Sequence, residues 1–229
     1  MSKKLKALMT HDWFTMKVVY IALIVMIVSG SFMTFSQARE TGTAGIGFSA
    51  FIGAFAVMLL VTSFASDDTK NIGVTRRTMP YSDKEMVLSR YIPVVVVVLA
   101  VALFTVITSV IGGAMHGFAE GFAGQLLFCI ALEADVILIM PIIFYPFIFR
   151  YGYQKLQTAY SLVTALYMLA VFSGFMIMMI VPTENGASTQ FMTPDFEVPV
   201  IVSIIDIAVM VGLTVLSLRS SVKQLGLKD

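Results

Sequence analysis

The chain has 229 residues and a net charge of +1, with 58 % of its residues drawn from Ala, Val, Ile, Leu, Met, Phe, Trp, Tyr and Cys and only 13 % from Asp, Glu, Lys and Arg. A soluble domain carries about 25 % charged residues, so this composition cannot cover a water-facing surface, which excludes a soluble enzyme, a disordered chain and a basic nucleic-acid binder. Mean hydropathy is +0.90, and the single cysteine, Cys129, excludes an internal disulfide or a cysteine-built metal site.

Residues 3–16 place Leu5, Leu8, Met9, Trp13 and Met16 at helical spacing beside Lys3, Lys4 and Lys6. This predicts an amphipathic helix in the headgroup layer; the other reading is a basic tail that only sets topology. A membrane-crossing helix needs about 20 apolar residues for roughly 30 Å of hydrocarbon. Six stretches meet that length, at about 18–35, 46–65, 93–112, 122–149, 159–181 and 198–218, and none alternates like a barrel strand. The chain therefore reads as an all-α integral membrane protein with six transmembrane helices, a single transmembrane domain over residues 1–229. The first stretch is followed by Ser36-Gln37-Ala38, which resembles a leader cleavage site. Its long apolar run and the Asp12 before it favour a retained span. In the second, Ser49 with Gly53 and Ala50 with Ala54 permit close helix approach.

The connection at 66–92 is long and dense in charge. Ser82 followed by Glu85 forms a capping box, each side chain reaching an orphan backbone N–H at a helix start. The helix it opens runs from Asp83 to about Tyr91 with Met86 and Arg90 on one face, and Pro93 falls in the first turn of the third span, where its missing N–H costs nothing. A short helix held parallel to the membrane by two spans is something a cytoplasmic partner can grip; a solvated loop that only sets topology is the equal alternative.

The fourth stretch is the longest, so it must tilt, kink or protrude, and Pro141 and Pro146 predict bends near one end. Three ionisable groups lie well inside spans: Glu133 and Asp135 in the fourth and Asp206 in the sixth. Each costs about 2.5–3.5 kcal/mol at a helix centre, and no Lys, Arg or His lies within a span to pair with it. They are either protonated and hydrogen-bonded or they line water. Glu133 and Asp135 point about 200° apart around a helix, so a fourth span with neither facing lipid is packed on two sides. One reading makes these carboxylates the lining of the outer half of a translocation cavity that favours Lys-bearing substrates. The other gives them structural hydrogen bonds, with Ser203 three residues from Asp206. Met176, Met178 and Met179 suit a cavity or lipid alike. The acidic connection at 182–199 is an exit gate or a plain loop.

Of the 15 Lys and Arg residues, Arg39 alone falls outside the N-terminal segment, the second and fourth connections and the C-terminal tail. Basic residues stay inside, so both termini are expected to be cytoplasmic. Trp13, Tyr20, Tyr91, Tyr145, Tyr151, Tyr153 and Tyr160 cluster near the same interface and predict an aromatic belt.

Two segments resemble a known family. Lys70-Asn71 and the run Thr78-Met79-Pro80-Tyr81-Ser82-Asp83-Lys84-Glu85-Met86-Val87-Leu88-Ser89-Arg90-Tyr91-Ile92 resemble the signature loop of type 2 ATP-binding-cassette (ABC) export permeases. Residues Pro141 through Lys155 resemble that family's proline- and aromatic-rich end of the fourth span. Met79, where leucine is usual, and Arg77-Thr78 depart from the pattern. The likeness extends to small permeases that export amphipathic peptides such as phenol-soluble modulins.

The resemblance implies a permease that pairs with a second permease chain, itself or a sister, and with two cytoplasmic ABC ATPase subunits holding ATP and Mg. It implies that Ser82, Asp83, Lys84, Glu85, Met86 and Arg90 engage the ATPase, and that amphipathic or hydrophobic molecules, cationic peptides among them, leave a bacterial cell membrane by alternating access. Arg76 and Arg77 are alternatively a site for anionic lipid headgroups. The chain has no phosphate-binding G-x-x-x-x-G-K-[ST] loop, so ATP hydrolysis is expected on the separate chain, with no cofactor in this one. No catalytic or metal-binding set is expected, since His11 and His116 fall on opposite sides of the membrane. The competing reading is a non-transporting membrane immunity or sensor protein that binds peptides.

Overall fold

The computed structural model describes residues 17–42, 82–180 and 200–226, together with Thr10, Ala44 and Phe64. The described residues form helices α1 (Lys17–Thr41), α2 (Asp83–His116), α3 (Phe122–Tyr151), α4 (Tyr153–Ile180) and α5 (Val200–Gly226). By length and composition α2, α3 and α5 can each cross a membrane. The expected first and fifth spans fall on α1 and α4. Apart from Thr10 and Phe64, the expected headgroup helix at 3–16, the second span at 46–65, the loop at 66–81 and the connection at 182–199 lie outside the described residues.

Helix α2 starts where the capping box puts it. Ser82 Oγ accepts from the Glu85 N–H at 3.3 Å, and Glu85 Oε2 accepts from the Ser82 N–H at 3.2 Å. The helix then runs for 34 residues, about 51 Å at the usual rise. The expected short helix at 83–91 and the third span are therefore one element, with Pro93 in its interior rather than its first turn. Cap and flank explain this. The box nucleates the helix ten residues before the proline, and the lost Pro93 hydrogen bond is offset by packing of Val87, Val94, Val97 and Val101, all buried. Relative to the hydropathy-defined spans, α2 extends at its start, α4 at its start and α5 at its end. Hydropathy marks what crosses lipid, whereas backbone hydrogen bonding continues past the last apolar residue.

These overhangs share one end of the bundle. Tyr91 of α2 meets Tyr145 of α3 edge-on, with ring centroids 5.1 Å apart, and a Cβ built on Gly226 at the end of α5 would lie 3.3 Å from Asp83 Oδ2. Gly152 alone links α3 to α4; its φ of +84° is a left-handed conformation that glycine adopts without a Cβ clash. Lys84, Arg90, Arg150, Lys155, Arg219 and Lys223 consequently gather at this basic end. At the other end α1 and α2 nearly touch: a Cβ on Gly112 would come within 2.7 Å of Ala38 Cβ and 2.9 Å of the Phe35 carbonyl oxygen. In lipid, where apolar surface gains little by leaving tails for neighbours, such close backbone approach is the main source of helix association.

Helix α3 is the hub, in contact with α2, α4 and α5. Ala134, Ile137, Leu138, Pro141, Phe144, Tyr145 and Ile148 recur at three- and four-residue spacing along its buried side. Neither Pro141 nor Pro146 breaks it. Of the tyrosines expected near one interface, Tyr91, Tyr145 and Tyr160 are 2 %, 1 % and 4 % exposed, inside the core, whereas Tyr151 lies at the surface. Their rings stack edge-on with α3 partners, Phe144 on Tyr160 at 5.0 Å among them.

Candidate functional site

Two groups of residues carry the chemistry: the start of α2 at the basic end and the carboxyl groups within the bundle. At the α2 start Ser82 and Lys84 are exposed and Asp83, Glu85 and Met86 are half-buried, so these five side chains are presented at the end of the helix. Arg90 differs from its expected companions. It is 6 % exposed, with its guanidinium carbon 5.2 Å from the centre of the Phe64 ring, a cation–π contact inside the bundle. Two turns after the cap the helix has entered the core. Tyr91 Oη there lies 2.7 Å from Ser217 Oγ and 3.0 Å from Ser221 Oγ, tying α2 to the end of α5.

The carboxyl groups divide as the helical angle requires. Glu133 is 1 % exposed and accepts from Thr105 Oγ1 at 2.6 Å, facing α2. Asp135 turns to the other side, where its carboxyl group neighbours that of Asp206 on α5, and its Oδ1 is buried without a hydrogen bond. Asp206 therefore faces Asp135 across the helix interface, and its sequence neighbour Ser203 has a buried Oγ that makes no hydrogen bond. The structure brings Asp135 and Asp206 together, half-buried, and holds Glu133 apart from them. Tyr167 of α4 closes the same side, its hydroxyl donating to the Val136 carbonyl at 2.9 Å.

Sequence reasoning passed over Thr105, Ser217 and Ser221, and placed Tyr91 only in the aromatic belt and the signature run. One signal was available: Ser217 and Ser221 are small polar residues one helical turn apart in a hydrophobic helix, and Pro146 leaves a carbonyl that something must satisfy.

Long apolar helices packed through small residues and buried hydroxyls, with basic residues collected at one end, define a polytopic helical membrane protein. The model of the ABC-2 family transporter protein matches residues 7–225, nearly the whole chain, and the chain belongs to that family. It is thus a permease subunit of an ABC transporter, a membrane transport component that is not itself catalytic and whose family implies an ABC ATPase partner. Among curated proteins and among solved structures none matches the chain.

Proposed function

We propose that the chain is the permease of an ATP-driven exporter that moves amphipathic or hydrophobic molecules outward by alternating access. In this reading it has six spans with both termini cytoplasmic, it sits in a bacterial cell membrane, and two permease chains work with two ATPase subunits. The observation that carries it, beyond the family, is the capped start of α2. Ser82, Asp83, Lys84, Glu85 and Met86 project at the basic end on a helix that continues unbroken into the core, so a push on the stub is delivered to the bundle.

Glu85→Lys tests the engagement. It reverses the charge and breaks the capping box together, whereas Glu85→Gln keeps the cap. Purified with its ATPase, Glu85→Lys is expected to lose vanadate-sensitive turnover by about tenfold or more, and Glu85→Gln to retain most of it. Equal turnover in wild type and Glu85→Lys would remove the α2 start from the ATPase contact.

The substrate class proposed rests on Asp135 and Asp206. Two neighbouring half-buried carboxyl groups form a receptor for a cationic head group, since a Lys ammonium has three donors and can give one to each of them. Cationic amphipathic peptides fit that chemistry together with the apolar spans. Asp135→Asn with Asp206→Asn is expected to abolish stimulation of the ATPase by a Lys-rich amphipathic helical peptide while leaving unstimulated turnover. The same peptide stimulating wild type and the double variant alike would rule out the pair as its site.

A further inference from the structure

Pro146 has no N–H, so the carbonyl of Ile142, four residues earlier, has no partner within α3. Ser217 Oγ on α5 lies 2.8 Å from that oxygen, and a carbonyl can only accept, so Ser217 donates. With its proton committed there, Ser217 accepts from Tyr91 Oη, and the phenol, having given its own proton, accepts from Ser221. The order Ser221 to Tyr91 to Ser217 to Ile142 is thus fixed in direction, and its hydroxyl groups are buried, where hydrogen bonds in a chain strengthen one another. Tyr91 also holds the other side of the same proline: its ring stacks edge-on against Tyr145, the residue before Pro146. A helix turn that lacks its own hydrogen bond is a place where a helix bends.

We infer that Tyr91 is a positioning residue that transmits displacement of the α2 start to the turn of α3 at Pro146, through Ser217 on the Ile142 carbonyl. The inference rests on the reading of the α2 start as the ATPase contact. Ser217 alone satisfies the carbonyl; Tyr91 adds nothing to that satisfaction and instead makes it depend on where α2 stands. Ser217 and Ser221 have no other evident task, since α5 faces outward along most of its length.

The test is hydrogen exchange by mass spectrometry on the complete complex of permease and ATPase in lipid nanodiscs, with and without ATP and vanadate. In wild type the nucleotide changes exchange both at the start of α2 and in α3 around residues 142–151. In Tyr91→Phe, which removes one oxygen and keeps the ring on Tyr145, the α2 change persists and the nucleotide-dependent difference in α3 falls about fivefold, the weight of one hydrogen bond. Ser217→Ala gives the same separation. Pro146→Ala supplies the missing N–H, so in that background Tyr91→Phe has no further effect on α3, which a merely structural role does not produce. An undiminished α3 response in Tyr91→Phe overturns the inference, as does a Tyr91→Phe effect of equal size with and without Pro146. A wild-type complex in which nucleotide alters neither segment overturns the ATPase-contact reading and the relay with it. One that alters α3 and not α2 overturns the relay alone.

Discussion

Tyr145→Ala is expected to lower the stability of the purified full-length chain by about 3 kcal/mol, the lower end of the range for truncating a large buried aromatic. The lower end applies because lipid is as apolar as the core, so the water-transfer part of the usual cost is small and the loss of packing remains. Tyr145 has much to lose: its ring lies edge-on to Phe64 at 5.0 Å, to Tyr91 at 5.1 Å and to Phe149 at 6.5 Å. Phe147, two residues along the same helix, is 50 % exposed, and Phe147→Ala is expected to stay within about 0.5 kcal/mol of wild type. Titration of both variants with a denaturing detergent measures the difference. Equal losses would show that α3 does not present Tyr145 to a core.

The second large effect is at Glu133. Thr105→Val removes a donor held 2.6 Å from a buried carboxyl group and is expected to cost about 2 kcal/mol, because the valine fills the space but leaves the oxygen short of a bond. Placed on a Glu133→Gln background, the same change is expected to cost about 1 kcal/mol, since an amide oxygen is cheaper to leave under-satisfied than a carboxyl. The two substitutions therefore should not add, and the size of the departure measures the contact. Thr108→Val is the control: that hydroxyl reaches the Phe104 carbonyl of its own helix at 2.7 Å and touches no carboxyl. Additive costs at 105 and 133 would mean that Glu133 is held by something other than Thr105.

The comparison of site residues is uneven for a physical reason. The α2 cap was legible because both partners, Ser82 and Glu85, are three residues apart and act through local backbone groups. The opposed directions of Glu133 and Asp135 were legible from helix geometry alone, and the structure packs α3 on two sides accordingly. Their partners were not: Thr105 is 28 residues from Glu133, and Asp206 is on another helix altogether. Arg90, expected beside Met86 on the outward stub, turned out to lie within the core under Phe64. Helical spacing puts the two on one face but does not say at which turn that face becomes covered.

From the sequence by itself came the class of the molecule, the three long apolar stretches that α2, α3 and α5 contain, the gathering of basic residues at one end and the start of α2. Each of these depends on composition or on groups within a turn of each other. Tertiary structure alone decided that α2 runs through Pro93 without a break, that three tyrosines point inward, that the two aspartates lie side by side and that Ser217 serves the carbonyl Pro146 releases. Helices apolar on every side carry no mark of which side will be covered, and a buried polar group takes whichever partner the packing of other helices brings within reach.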